Sequence, residues 1–397
     1  MSPEPPLPLV IAASAVWDTP APVNSHQIAR RFAARGHPVL YVESTGLRSP
    51  SLRAPQDWRR VAARLQRLGG GLRDVAPRLR VLGPLALPGA RSAWVRGLSE
   101  RLLRDQVARA LRRIGGEAPL LWAFLPTAWP LSDLPLRGVV YHCVDDYAGN
   151  PGVDAGWLRQ CETRMLERAD LVVASSPVLA ERLREQRPDL RLAPNVADVA
   201  LFGRAAREPL PEPAALRGWP HPRVLYVGNL AAYRIDPELL AGALEAVPDG
   251  CLVLVGATGL GDPGSLPPAL RALLRDDRVL VAGARAHKEL PAWMRHADVA
   301  LIPFLDNPHT RGSLPLKLWE YLAAGLPVVA RALPNLRGLE AEGVRTASDR
   351  AGFAAAVRAA VDEPPALRRA RSAAAARHGW ERRMDQLEAW AVEVAKP

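Results

Sequence analysis

The sequence predicts an α/β protein made of two Rossmann-like domains, each a doubly wound parallel sheet. Short apolar strands alternate with helical patterns along most of the chain, and several of the strands end in glycine. The alternation lapses once, in a proline-rich stretch near the middle. Strands that alternate with helices form parallel sheets covered on both faces. At 397 residues the chain is long for one hydrophobic core and sufficient for two.

The first half of the chain opens with a βαβ pattern. Residues 9–13 predict a buried strand, residues 24–35 a helix that Gly36 ends, and residues 38–43 a second strand. Asn24 and Ser25 are candidate caps of this helix, which would leave free amides pointing into the preceding loop. Further helices are expected at 51–75, 92–114 and 157–168, and further strands at 79–82, 120–124, 138–144 and 171–174.

The second half repeats the pattern after an interruption. Between Asp198 and Arg223 the periodicity fails and prolines accumulate, which predicts a linker or a surface loop. Residues 364–396 predict helix throughout, with a bend at 378–380. We therefore expect domains over 1–203 and 204–375 and a terminal helix over 376–397. The strands of the second domain are expected at 223–228, 251–256, 278–283, 299–304 and 327–331, with helices at 237–246 and 316–324.

Composition limits the class of protein. The formal net charge of +11 favours anionic partners such as nucleotides or phospholipid head groups, although an arginine-rich coding bias would leave the same excess. Aromatic residues are only 6% of the chain and do not interleave with the basic patches, which argues against nucleic-acid binding. With three scattered cysteines, no signal-peptide pattern and no long apolar span, we expect a cytoplasmic protein, soluble or peripheral to a membrane.

Three strands of the second half end in glycine, at Gly228, Gly256 and Gly283. Ligands of doubly wound sheets bind at the carboxyl ends of the strands, where helix N-termini present unpaired amides to anions. A single glycine there permits only a tight turn, but three of them in one half-chain favour a site for a nucleotide or a phosphate.

A second indication of an anion site is the loop from Asp306 to Ser313, which leads into Pro315 and a helix. The amides of Gly312 and Ser313, the helix dipole, and Arg311 or Lys317 would converge on a volume that suits a diphosphate. The alternative is a capped surface helix with solvated cations.

Glu320 lies one turn after Lys317, so the two side chains share a helix face. They could form a simple ion pair. Alternatively, the Glu320 carboxylate could accept hydrogen bonds from ribose hydroxyls, as the acidic residue of dinucleotide folds does.

Candidate catalytic residues follow a strand of the first half, in the segment YHCVDDY. His142, Asp145 and Asp146 could each remove a proton from an acceptor hydroxyl, with Asp145 the first choice of base. The alternative is a helix cap by Asp146 and a structural histidine in the core. His26 could touch a phosphate, or be structural. The first strand lacks the GxGxxG pattern, which argues against a nicotinamide enzyme.

Several motifs in order carry a resemblance to a known family: NSHQIARRFAARGHPVLYVE, YHCVDDY, ADLVVASSPVLAERL, RLAPNVADVALF, VLYVGNLAAYRID, DVALIPF, PLKLWEYLAAGLPVVA and GWERRMDQL. The chain resembles the GT-B glycosyltransferases over nearly its full length. It is most similar to the family 4 and family 1 type enzymes of bacterial surface-polysaccharide and teichuronic-acid synthesis. The resemblance implies two domains that face each other across a cleft, with the terminal helix returning to the first.

The resemblance also implies ligands. The second domain would bind a UDP-, GDP- or TDP-sugar as co-substrate, without a cofactor, and the first domain an acceptor sugar, glycolipid or other hydroxyl compound. Glu320 matches the ribose-binding carboxylate, Arg234 falls near a basic residue that contacts the diphosphate, and residues 283–287 would line the base. The full donor set is Gly228, Asn229, Arg234, Gly256, Gly283, Arg285, Arg311, Gly312, Ser313, Leu314, Lys317 and Glu320. Asn24, Ser25 and His26 would face the acceptor.

One departure from the family pattern affects the stereochemistry. Members with the full acidic signature carry a second glutamate eight positions before the one that matches Glu320, and here that position is Gly312. Without this carboxylate, retention of the anomeric configuration does not follow from the resemblance.

The resemblance implies glycosyl transfer in cell-surface polysaccharide or glycolipid synthesis. We expect this transfer to be metal-independent, because no Asp-x-Asp follows a strand. Two alternatives stay open: a sugar-nucleotide 2-epimerase of the same architecture, and an inactive nucleotide-sugar-binding protein. The Arg, Trp and Leu pattern from Trp58 to Leu68 suggests attachment to an anionic membrane at the inner face of the plasma membrane, or a surface helix packed on the first domain.

Overall fold

The computed structural model describes residues 6–19, 22–45, 71–85, 92–150, 152–259 and 266–396. The chain divides into two compact units, Met1–Ala193 together with Met384–Pro397, and Pro194–Arg383. Each unit is built on its own sheet, of eight strands in the first and six in the second. The predicted fold class, two α/β domains with largely parallel sheets, is confirmed.

The sheet of the first unit has the strand order β3-β4-β2-β1-β5-β6-β7-β8. All neighbouring pairs are parallel except β3 and β4, which are antiparallel. The central strands are buried on both faces, because sequences such as LVIA and LLWA carry no polar side chain. The strands are β1 (Leu9–Ala12), β2 (Val39–Val42), β3 (Leu72–Ala76), β4 (Leu79–Leu82), β5 (Leu120–Ala123), β6 (Gly138–Cys143), β7 (Leu171–Ala174) and β8 (Arg191–Leu192).

Helices connect these strands. They are α1 (Asn24–Ala34), α2 (Ala93–Ile114), α3 (Ala155–Arg168) and α4 (Pro177–Arg184), with 3-10 turns at Pro126–Asp133 and Tyr147–Gly149. The predicted helix over 51–75 is wrong at its end, where β3 forms, and its residues 51–70 lie outside the described residues. The predicted caps of α1 are also wrong, because Val23 occupies the N-cap and Asn24 is already helical.

The sheet of the second unit has the order β11-β10-β9-β12-β13-β14, and every neighbouring pair is parallel. Chain connections run in opposite directions from β9 and β12, so the gap between the carboxyl ends of these two strands is the topological switch point. The strands are β9 (Arg223–Val227), β10 (Cys251–Val255), β11 (Val279–Gly283), β12 (Val299–Ile302), β13 (Val328–Arg331) and β14 (Val344–Ala347).

The second unit contains eight α-helices within its described residues, α5 (Val199–Arg207), α6 (Pro237–Glu245), α7 (Pro268–Leu273), α8 (Leu290–Arg295), α9 (Pro308–Gly312), α10 (Leu316–Ala323), α11 (Arg350–Val361) and α12 (Leu367–Ala375). The predicted linker from Asp198 is wrong over its first third. Asp198 caps α5 by accepting a hydrogen bond from the Leu201 amide at 3.1 Å, and Phe202 is buried.

The predicted bend near the C-terminus is confirmed, since a 3-10 turn at Ala376–His378 separates α12 from α13 (Trp380–Ala395). From Met384 onward, α13 belongs to the first unit. Its Glu388 carboxylate accepts hydrogen bonds from Arg35 at 2.6 Å and from His37 Nε2 at 2.7 Å. Because the Leu7 amide donates to His37 Nδ1, the ring proton lies on Nε2 and points at Glu388.

These contacts determine the charge state of Glu388. Its burial alone would raise the pKa, but the hydrogen bonds from His37 and Arg35 outweigh burial and hold the pKa of Glu388 below its ordinary value.

Within the described residues, every helix is too short or too polar to cross a bilayer.

We predict that Glu388→Ala destabilises the first unit by about 1–2 kcal/mol, because it leaves Arg35 and His37 without their shared acceptor. Glu393→Ala is the matched control on the same helix, since the bond from Arg191 to Glu393 is exposed and should contribute much less to stability. Urea unfolding followed by circular dichroism measures both. Equal losses in the two variants would contradict this assignment.

Candidate functional site

Three glycines end neighbouring strands of the second unit, and the chain needs glycine at each. Gly228, Gly256 and Gly283 have φ angles of 144°, 152° and 72°, which side chains of L-residues rarely permit. A Cβ added at Gly256 would overlap the carbonyl oxygen of Gly228, and one added at Gly228 would overlap the Lys317 amine. The glycines therefore let two strand ends and one cation approach each other closely.

Lys317, in the first turn of α10, directs its amine to the switch point between β9 and β12. Its Nζ donates to the Tyr226 hydroxyl at 3.0 Å and lies 4.1 Å from the Tyr226 ring centroid and 5.2 Å from that of Phe304. Burial lowers the pKa of Lys317 well below its ordinary value, the charge of Arg234 lowers it further, and Glu320 opposes the change. The Glu320 carboxylate does not offset the effect of desolvation on the pKa of Lys317. An anion bound at this amine would therefore stabilise its charged form.

Arg234 is the second cation at this position. Its guanidinium donates to His309 Nε2 at 2.7 Å and lies 5.6 Å from the centroid of the Phe304 ring. His309 is only 3% exposed, and since Nε2 accepts this hydrogen bond, it carries no proton there. Phe304 therefore has one cation near its ring from Arg234 and another from Lys317.

Glu320 lies one turn beyond Lys317 and is half-buried. Its Oε1 is 3.6 Å from His287 Nε2, and the His287 ring meets Phe202 edge-on at 5.1 Å between centroids. The carboxylate is thus beside the segment 283–287, which the resemblance assigns to the base. The structure brings together Gly228, Arg234, Lys317 and Glu320 from the predicted donor set.

Other predicted donor residues are engaged elsewhere. Arg311 is exposed and pairs with Asp306 at 2.5 Å, and Arg285 is exposed and stacks over the Trp293 ring. The predicted loop from Asp306 to Ser313 is wrong, because α9 forms within it.

This short helix changes what its neighbours can offer. The Ser313 amide donates to the Thr310 carbonyl at 3.3 Å, so its predicted role as a free amide is wrong. Gly312 is buried at the end of α9, and the carbonyl of Leu314 accepts from Asn195 at 2.5 Å. Asn229 accepts from the Tyr226 hydroxyl at 3.0 Å through its carbonyl oxygen, which ties the turn after β9 to the phenol beneath Lys317.

In the first unit, the predicted catalytic cluster lies at the end of β6. His142 is 3% exposed inside the strand, its Nδ1 accepts from the Trp122 indole at 3.3 Å, and its ring stacks on Phe124. These contacts are those of a core histidine. Asp146 pairs with Arg159 at 2.9 Å. Asp145 is half-buried, and its role as the base stays a prediction.

A buried ion cluster that sequence reasoning missed supports this turn. Glu162 on α3 accepts from Arg182 at 2.5 and 2.9 Å and from the Tyr141 hydroxyl at 3.0 Å. Burial would raise the pKa of Glu162, but the hydrogen bonds from Arg182 and Tyr141 and the charges of Arg182 and Arg159 together outweigh burial and lower that pKa. Arg159 bonds both Glu162 and Asp146, so the cluster connects α3 to the end of β6.

The three predicted acceptor residues on α1 are buried, which disagrees with a direct acceptor contact. Asn24 is 8% exposed, and Ser25 and His26 are fully covered. His26 Nδ1 accepts from the Val23 amide at 3.2 Å while Nε2 donates to the Val16 carbonyl at 2.9 Å, so the ring is neutral, and burial lowers its pKa. These side chains stabilise the turn before α1.

In the described ranges, no three His, Cys, Asp or Glu side chains gather closely enough to hold a metal ion. Metal-independent transfer stays a prediction.

Comparisons with known proteins cover the region just described. Residues 221–363 match the model of the family "Glycosyl transferases group 1". This segment includes Arg234, Lys317 and Glu320. The D-inositol 3-phosphate glycosyltransferase of Xylanimonas cellulosilytica is 30% identical over 304 residues, 66% of this chain and 68% of that protein. The chain belongs to this glycosyltransferase family. The predicted membership is confirmed.

Two further similarities extend the comparison. TuaH of Bacillus subtilis, named for teichuronic acid biosynthesis, is 28% identical over 233 residues, 55% of this chain and 57% of that protein, so little more than half of TuaH is matched. The structure of Anabaena HepE in complex with UDP has a TM-score of 0.66 and 14% identity, and the match covers 98% of this chain and 100% of that one. The second similarity shows the fold alone.

His309 offers a test of the cation arrangement. We predict that His309→Leu weakens UDP binding about tenfold, because Arg234 loses the acceptor that orients it. His309→Gln keeps an acceptor oxygen and should restore most of the affinity. Isothermal titration calorimetry with UDP measures both variants. If His309→Leu binds UDP as tightly as the native protein while Arg234→Met does not, His309 has no positioning role.

Proposed function

We propose that this protein transfers a sugar from a nucleoside diphosphate sugar to an acceptor hydroxyl, in the synthesis of a cell-surface polysaccharide or glycolipid. One observation carries the proposal. Two cations, Arg234 and Lys317, lie around the Phe304 ring at the switch point of a parallel sheet, and the amine of the half-buried Lys317 donates to the Tyr226 hydroxyl there. This is where doubly wound sheets bind nucleotides.

We propose one orientation of the donor in this region. The diphosphate would lie on the Arg234 guanidinium and the Lys317 amine, above Gly228. Glu320, one turn along α10, would accept hydrogen bonds from the ribose, and residues 283–287 would contact the base. The similarity to HepE, which was solved with UDP, supports a nucleoside diphosphate ligand, and UDP-, GDP- and TDP-sugars are the donors to test.

The transfer step requires charge stabilisation more than covalent chemistry. The bond between the sugar C1 and the diphosphate oxygen breaks, its electron pair stays on that oxygen, and the acceptor oxygen bonds to C1. The negative charge that develops on the diphosphate is stabilised by Arg234 and Lys317. Asp145 would take the proton of the acceptor hydroxyl.

A second candidate function follows from Gly312. The family's sugar-binding carboxylate is missing at this position, so a protein that binds a nucleotide sugar without transferring it is the alternative. Detection of UDP release only in the presence of an acceptor supports the transferase, whereas tight donor binding with no transfer over an acceptor panel supports the alternative.

The acceptor and its location are further proposals. The similarity to TuaH supports a growing polysaccharide or a lipid-linked sugar as acceptor, which would place the protein at the inner membrane face. The segment from Trp58 to Leu68, which suggested membrane attachment, lies outside the described residues.

We predict that one of UDP-, GDP-, TDP- and ADP-glucose raises the melting temperature in a thermal-shift screen, because a ligand bound by the native state stabilises it by about 2.7 kcal/mol at a hundredfold excess over Kd. Lys317→Met and Glu320→Gln should each remove most of this shift. Lys396→Met, which changes an exposed lysine far along the chain, is the control and should keep it. A shift that survives both site variants, or no shift with any nucleotide, would contradict the proposed site.

A further inference from the structure

Exposed apolar side chains of the first unit concentrate at α2. Among the described residues, Trp94 is the most exposed large apolar side chain at 75%, and Leu98, one turn further along α2, is 39% exposed. Leu85, 41% exposed, lies beside the same helix, because its amide and carbonyl exchange hydrogen bonds with Gln106 at 2.8 and 3.1 Å. Large apolar side chains that cluster on a surface mark a contact with a partner.

The same face of α2 carries positive charge beyond the apolar end. Steps of three or four residues from Trp94 and Leu98 lead along one face of the helix. The exposed residues along it and at its border are Arg101, Asp105, Arg109, Arg112 and Arg113. In the described part of the chain no acidic side chain pairs with these four arginines. Arg96 and Arg104, by contrast, pair with Asp154 and Asp133.

We propose that this face of α2, defined by Trp94, Leu98 and the four arginines, binds the surface of an anionic lipid bilayer. A tryptophan and a leucine would enter the boundary between head groups and acyl chains, and the arginines would contact anionic head groups. Positive charge beside exposed apolar side chains matches the anionic head groups and the apolar acyl chains beneath them. A second copy of this chain matches less well, because its own charge of +11 and the same arginines would repel.

This face lies in the unit assigned to the acceptor, and it suits an acceptor held in a membrane. Binding to lipid needs no donor nucleotide, so the two proposals fail separately. If the native chain does not bind vesicles but UDP still raises its melting temperature, the proposed lipid-binding face of α2 is wrong and the donor site is not affected.

The test is flotation of the full chain with vesicles of phosphatidylcholine alone and of phosphatidylcholine mixed with phosphatidylglycerol. We expect binding to the mixed vesicles only, weakened at high salt because ions screen the arginines. The double variant Trp94→Ala/Leu98→Ala and the double variant Arg109→Gln/Arg112→Gln should each lower the apparent affinity about tenfold.

Matched controls lie on the second unit. Leu367→Ala removes an equally exposed leucine, and Arg271→Gln/Arg275→Gln removes two exposed arginines. Both should bind vesicles as the native chain does, and all variants should keep its melting temperature. No binding to either vesicle, equal binding by the α2 variants and the native chain, or a dimer that depends on Trp94 in the absence of lipid would overturn the proposal.

Discussion

The amine of the half-buried Lys317 is the constraint on which the second unit's site depends. Three neighbours hold it: the Tyr226 hydroxyl at 3.0 Å, the Phe304 ring, and the bare Cα of Gly228. Desolvation depresses its pKa in the folded state, so the unfolded chain binds the proton more tightly. Stability therefore rises with pH between the folded and unfolded pKa values, and below that window the buried charge costs stability. An anion bound at the amine would remove this cost.

The strand order explains why a cation can be placed there. Gly228 ends β9 and Phe304 follows β12, the two strands on either side of the switch point, while Lys317 enters from the first turn of α10. Gly256 must lack a side chain because the Gly228 carbonyl occupies the space that a Cβ would need. The glycine pattern is thus a packing requirement of the site as well as a requirement of the turns.

Much of the fold could be predicted from the sequence because its strands are uninterrupted apolar runs, which give clear signals even without periodicity. β3 was missed because it is a half-exposed edge strand with Arg73 and Asp74 among its five residues. The site was predicted only in part, because sequence patterns show residues that are close along the chain and not those that meet from distant segments. Lys317 and Glu320 are close in sequence and share a helix face, whereas Tyr226 and His309 reach Lys317 and Arg234 across 91 and 75 residues. The sequence leaves His142 open between a catalytic and a core role because its partner, Trp122, lies on another strand.

Proton uptake on nucleotide binding would show whether Lys317 receives the donor's diphosphate. If the bound anion raises the depressed pKa of Lys317, binding takes up a proton at a pH between the free and bound pKa values, and affinity falls as pH rises through that window. Isothermal titration calorimetry of the preferred nucleotide, at several pH values and in two buffers of different ionisation enthalpy, counts the protons. We expect net proton uptake by the native protein and none by Lys317→Met. Equal proton uptake in the two proteins would contradict this role of Lys317.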